Sequence, residues 1–232
     1  MGDEPLDSEY RHLLAEMLNG VGWISIRLGN FEAAEQAILR AQAVYDQHHL
    51  RPAVHFASDP RIPLAELKGI LGESETARLL SEAAYADAMA QGDILNASVA
   101  RYILTNVCLA HHEFSQAQDY ISEAIDLTRQ ASNGWFLAYC LNQQGHIFLE
   151  RGDYPRAQHQ YEESYRIRER LGEPEGQAVA LNHLGMLALI QGDYARAREH
   201  FQRSLPIYQR LEDRGGLFAA HIGLGIAHTV SG

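Results

Sequence analysis

Three asparagines share one local context: LNGVG (18–22), LNQQG (141–145) and LNHLG (181–185) place Asn19, Asn142 and Asn182 each three residues ahead of a glycine. A carboxamide carries both a donor and an acceptor, so a row of them can pair with both groups of an extended peptide backbone and read main chain rather than side chains. The remaining chemistry-bearing residues show no such order. Histidine occurs twelve times, with adjacent pairs at His48–His49 and His111–His112, but adjacent residues point apart on a helix and make poor joint metal ligands. His221 and His228 lie seven residues apart on one helical face, without a third ligand at matching spacing. Cys108 and Cys140 are too few for a disulfide framework and too far apart for a C-x-x-C site. Cys108 stands at a small-residue packing position and is expected to be a buried, inert thiol. Nucleophile-elbow, zinc-protease and dinucleotide motifs do not occur. Lys68 is the single lysine, so the GK[ST] step of a phosphate loop is absent. These residues point to binding rather than catalysis, with no metal and no cofactor.

The 232 residues carry 30 acidic and 19 basic groups, a net charge of -11. That balance opposes general nucleic-acid binding, which needs a basic surface, and favours basic partner segments through electrostatic steering. The acidic start, MGDEPLDSEYRHLL, lacks the apolar run of a secretory signal, and no stretch approaches the apolar length that spans a bilayer. Together with sparse cysteine these features lead to the expectation of a cytoplasmic protein.

The elements that position the asparagines come from a repeat. GDYPRA (152–157) and GDYARA (192–197) lie forty positions apart, HEFSQA (112–117) forty before the first, and LGNFEAA (28–34) and LGESETA (71–77) are further copies. Their alanines, Ala34, Ala77, Ala117, Ala157 and Ala197, are spaced 43, 40, 40 and 40. Gly22, Gly145, Gly185 and Gly225 share a second position. Each unit reads as two amphipathic helices. Apolar residues recur at helical spacing over 174–190 and again at Tyr194, Ala197, Phe201, Leu205, Tyr208 and Leu211, with Gly192 suited to cap the first helix and Asp193 to start the second. The fold class is therefore all-α. The small residues would let paired helices approach closely, and one pair cannot bury its apolar face alone, so pairs must stack.

This pattern resembles the tetratricopeptide repeat: a small residue within the first helix, then G-[DN]-[YF]-x-x-A, then an aromatic residue four positions on, where Tyr161 and Phe201 stand, with Ile38, Ser81 and Ile121 substituting elsewhere. The forty-residue period and the turns LGEPEG (171–176) and LEDRGG (211–216) resemble the long-helix variant found in bacterial signal-transduction regulators of the LuxR and maltose-activator kind. The resemblance implies a right-handed superhelical solenoid over 8–232 behind a tail at 1–7, with repeats near 8–49, 58–91, 94–131, 134–171 and 174–212 and a half repeat at 215–232. It also implies that the first helices line a concave groove. That places Asn19, Asn142 and Asn182 on the groove, with Asn106 one turn further along, and around them Trp23, Arg27, Tyr102, Tyr139, His146, Glu150 and Met186. The function so implied is a non-catalytic scaffold binding a protein or peptide segment, as the sensor or partner-binding part of a regulator. A small-molecule or signalling-peptide sensor and an oligomerisation element are the alternatives. The groove lacks lysine and does not match the carboxylate clamp of some chaperone-binding relatives. Two irregularities stand out. HHLRPAVHFASDPRIP (48–63) inserts three residues and three prolines, which should shorten the first helix of repeat two. The last helix carries Phe218, Ile222, Ile226 and Val230 around a face expected to be polar at a terminus, which points either to a chain cut from something longer or to self-association there.

Overall fold

Helices account for the regular structure among the described residues, which are 5–52 and 58–231, with side chains described from Glu9 to Thr229 within those ranges; the structure is a computed structural model. In chain order they are α1 (Pro5–Arg27), α2 (Phe31–Gln47), α3 (Arg61–Ile70), α4 (Ser74–Gln91), α5 (Ile94–Ala110), α6 (Phe114–Gln130), α7 (Gly134–Glu150), α8 (Tyr154–Leu171), α9 (Pro174–Ile190), α10 (Tyr194–Leu211) and α11 (Arg214–Ser231). The chain divides into two compact units, Met1–Ala131 and Ser132–Gly232. In the first, α1 packs on α2, α3 on α4 and α5 on α6, and each pair meets the next through its second helix. In the second, α7 packs on α8 and α9 on α10, with α11 laid against α10. The insertion at 48–63 has the effect its prolines imply, for α3 has ten residues where α5 has seventeen. Residues 53–57 of that insertion lie outside the described residues.

Local chemistry sets the helix ends. Asp153 and Asp193 accept hydrogen bonds from the backbone N–H groups of Arg156 and Arg196, as N-caps do. Gly192 ends α9 at φ 78°, a conformation a side chain would strain. The equivalent turn after α5 holds His112 at φ 58°, and both turn histidines, His111 and His112, are exposed.

The repeat columns form the core. Ala34, Ala77, Ala117, Ala157 and Ala197 are fully buried, as are Ile38, Ser81, Ile121, Tyr161 and Phe201 four residues on. The glycines of the first helices face those bulky residues: an added Cβ would stand 2.3 Å from Ile38 at Gly22, 2.5 Å from Tyr161 at Gly145 and 2.8 Å from Phe201 at Gly185. Gly225, in the same column, faces open space. Phe201 is instead gripped between Gly185 of α9 and Gly223 of α11. The last glycines of the two long-helix turns act similarly. Gly176 clears the side chain of Arg168, and Gly216 clears that of Tyr208, forty residues apart in each case.

Arg168 is 1% exposed, an unusual place for a guanidinium. Its Nη1 donates to Glu173, and its plane lies 4.0 Å from the centre of the Tyr139 ring. Glu173 also accepts from Trp135 Nε1 at 2.9 Å, so one carboxylate ties α7 and α8 to the start of α9.

One outward face of the first unit stays uncovered. Leu13, Met17 and Ile24 of α1 are exposed, Met17 by 62%. Their register equivalents in α5, Asn96, Ala100 and Val107, are buried within the stack where α4 packs on α5.

Candidate functional site

The faces of the first helices carry the residues singled out by spacing, and each unit arranges them differently. The column through Asn142 and Asn182 passes, at the same repeat position, through Asn19, Ile62, Tyr102 and Ile222; the column one turn on holds Trp23, Glu66, Asn106, His146, Met186 and Ile226.

In the first unit Asn19 is buried, and its Nδ2 donates to the backbone carbonyl of Ser58 at 3.1 Å. The same serine accepts at its hydroxyl from Asn96 Nδ2 at 2.9 Å, so it links α1 to α5 across the entry to α3. Asn19 therefore spends its donor inside the fold rather than on a ligand. Trp23, Tyr102 and Asn106 are half-buried and Arg27 is exposed. Between α3 and α5 lies a cavity of about 220 Å3 lined by Ala65, Ile70, Ile103 and Val107 together with Glu66 and Asn106. Loss of hydration pushes the Glu66 carboxyl above the usual carboxylate range, and the positive charge of Arg27 partly offsets this. Spacing of the asparagines alone passes over Glu66; the column through Trp23, Asn106 and His146 would have found it.

In the second unit Asn142 is 8% exposed, and its Oδ1 is buried without a hydrogen-bond partner among the described residues. Asn182 is half-buried and accepts from Ser204 Oγ of α10 at 2.7 Å. The three asparagines thus share a register but not an environment. Tyr139 is half-buried between Trp135, 4.8 Å away in an edge-on arrangement, and the Arg168 guanidinium. His146, Glu150 and Met186 are exposed. On α9 the half-buried His183 has its ring centre 5.0 Å from that of Tyr161; burial first, and the neighbouring His146 second, lower its pKa to about 4. On α11, Phe218 is 70% exposed and Ile222 and Ile226 are also open to solvent. The side chain of Val230 lies outside the described residues.

Both cysteines are buried and outside any disulfide among the described residues, and burial pushes the Cys108 thiol up to about 11, which leaves it protonated and unreactive near neutrality. Among the described residues no group of three His, Cys, Asp or Glu side chains is placed to hold a metal ion, and no helix is long and apolar enough to cross a membrane.

Stacked antiparallel helix pairs with a polar and aromatic first-helix face define a helical-repeat protein. Tetratricopeptide-repeat profiles match residues 15–48, 137–171 and 176–230, more than half of the chain, and the chain belongs to the tetratricopeptide-repeat family. A search of the curated proteins finds no match. Among solved structures, BtubC (BKLC) from P. vanneervenii is similar at 20% identity over 89% of this chain and 84% of that one, with a TM-score of 0.71. A Rap protein complexed with competence and sporulation factor matches at 16% identity over 86% of this chain, with a TM-score of 0.75. The signal-transduction ATPase PH0952 from Pyrococcus horikoshii, described as having a tetratricopeptide-repeat sensor, matches at 12% identity over 96% of this chain, with a TM-score of 0.67. This chain spans 55% of the Rap chain and 34% of the ATPase chain.

Proposed function

We propose that the chain is a non-catalytic scaffold whose first-helix faces bind an extended peptide or protein segment. The observation that carries this reading is Asn142. A buried amide oxygen without a partner is costly, and here it lies one turn from the exposed His146, in a column continued by Asn182 and bordered by Met186. With the carboxamide turned outward, a peptide N–H laid along that face would satisfy it, while Tyr139, Met186 and Ile222 offer adaptable apolar contact. Trp23, Arg27, Tyr102 and Asn106 play the corresponding part on the first unit. The net charge of -11 favours a basic segment.

A regulator's sensor segment is the setting that fits this reading best. Its support is the repeat style and a fold shared with a Rap protein complexed with competence and sporulation factor and with a repeat sensor, each longer than this chain. The bound segment is taken to be a protein or signalling peptide met in the cytoplasm. Self-association through α11 is a second reading, favoured by the open Phe218, Ile222 and Ile226.

A random peptide-display selection on the full chain tests the first reading. Selected peptides should bind saturably and lose most of their affinity to Asn142→Ala, whereas Asn19→Ala, whose donor is already engaged, should change stability more than binding. Failure to select any peptide, or peptides indifferent to Asn142, would refute it. Sedimentation of Ile226→Asp against the parent tests the second: an unchanged, concentration-independent mass in both would remove it.

A further inference from the structure

The cavity between α3 and α5 exists because of one small residue. Gly69 occupies the repeat position that holds Ile26, Leu109, Leu149 and Leu189 in the other pairs. It is absent from the glycines with positive φ, so the backbone does not demand it. A Cβ there would meet Val107 at 3.8 Å and Ala77 at 3.9 Å, ordinary contacts that an alanine would tolerate. What glycine does at this position is leave out a branched side chain, and the space left is part of the cavity of about 220 Å3.

Into that space the fold delivers one acid. Glu66, half-buried one turn before Ile70, makes no hydrogen bond or ion pair with any described residue. Several partly buried basic groups of this unit are matched: Lys68 bridges Glu35 and Glu73, Arg78 meets Glu113, and Arg101 meets Glu123. A half-buried carboxylate left without a partner is stabilised by an arriving cation. The walls around it, Ala65, Ile70, Ile103, Val107 and Ala110, are apolar, with Ser74 the one further polar lining residue. An apolar sleeve ending in an acid and a carboxamide complements a methylene stem ending in a cation. Arg27 contributes a positive charge nearby but is exposed and does not close the pair.

We propose that this cavity receives the alkyl-cation side chain, lysine or arginine, of the segment bound along the first-helix face of the first unit. The stem lies against Ile70, Ile103 and Val107, and the cationic head reaches the Glu66 carboxylate with the Asn106 amide beside it. The peptide origin of the guest rests on the function proposed above; the chemistry of the cavity does not.

The full chain, labelled at its isoleucine and valine methyl groups, is titrated by NMR with n-butylammonium, n-propylguanidinium and n-butanol. The expected result is saturable shifts at Ile70, Ile103 and Val107 with one or both cations and not with the alcohol; the tighter cation tells lysine from arginine. Glu66→Gln, which keeps the shape, should weaken the cation at least about tenfold. Gly69→Leu should abolish binding by filling the space while leaving the charge in place. Equal shifts with n-butanol, no saturable shift with either cation, or unchanged binding in Glu66→Gln would overturn the assignment. Displayed peptides separate this from the wider reading. Selected peptides that lack a basic residue yet depend on Asn142 would overturn the cavity assignment and leave peptide binding standing. Binding of n-butylammonium with no peptide selected would overturn peptide binding and leave the alkyl-cation site standing.

Discussion

Removing the charge of Glu173 isolates a buried cation. Arg168 is 1% exposed, and among the described residues its guanidinium meets the Tyr139 face, the cleft left by Gly176 and the Glu173 carboxylate. Its Nε is already buried without a partner. Glu173→Gln keeps the side-chain volume and can keep the Trp135 hydrogen bond, but it strips the counter-charge. Breaking a buried pair from one side costs about 3–5 kcal/mol. Glu173 retains some solvent contact, 24% of its side chain, so screening reduces the expected loss to about 2–3 kcal/mol. The repeat itself suggests the rescue: forty residues on, Tyr208 fills the equivalent position over Gly216. Arg168→Tyr should therefore cost only about 1–2 kcal/mol, because the ring fills the buried volume and the charge left behind, Glu173, keeps solvent contact and its Trp135 hydrogen bond. In the Arg168→Tyr background Glu173→Gln should cost less than about 1 kcal/mol, the price of one weakened hydrogen bond. Urea unfolding followed by circular dichroism gives all four corners of the cycle. The reasoning fails if Glu173→Gln alone shifts stability by less than about 0.5 kcal/mol, or if its cost is undiminished when the arginine is gone.

The glycine column gives a contrast within one register: Gly185→Ala drives a Cβ to 2.8 Å from the Phe201 ring and should destabilise by about 1–3 kcal/mol, whereas Gly225→Ala, in open space, should stabilise by about 0.5–1 kcal/mol; thermal melts of the two variants check the opposite signs. On α1 and α3, Ile24→Ala should change stability by less than about 0.5 kcal/mol and Leu67→Ala should cost about 2–5 kcal/mol, measured by urea midpoint, because the same register position is exposed in one helix and fully buried in the other. His183 sets a pH window: its folded pKa of about 4 lies below the ordinary 6.5, so it favours the fold fully above pH 6.5 and loses that contribution as pH falls from 6.5 towards 4. His183→Gln should flatten the melting temperature across that window, and an unchanged slope would count against burial as the cause.

Much of this arrangement was legible in spacing. The alanine column, the bulky residue four positions on and the facing glycines predicted a helical stack, and they are its buried core because their positions recur at a fixed phase of a repeating backbone. The cap aspartates and the turn glycines acted as their chemistry dictates. The prolines of 48–63 announced a short α3. Environment within a column was less legible. Asn19, Asn142 and Asn182 look alike in sequence, and the oxygens of the first two are both buried without a hydrogen bond among the described residues, yet Asn19 donates to a carbonyl from the inserted loop and Asn182 accepts from a serine of the next helix. Each partner lies outside the motif that defines the column.

Sequence by itself determined the unit of construction: helix pairs at a forty-residue period, a chain without catalytic or metal motifs, and an acidic balance of -11. Those are properties of residue type and period, which local backbone geometry translates directly. Only the tertiary structure decided that Arg168 is buried, that Gly69 lines a cavity and that Glu66 stands at it without a hydrogen bond or ion pair among the described residues. A helical pattern tells which face a side chain takes. Whether that face holds a salt bridge, a ring or a cavity depends on the volumes of side chains supplied by the neighbouring helices, and these meet only when the pairs are stacked.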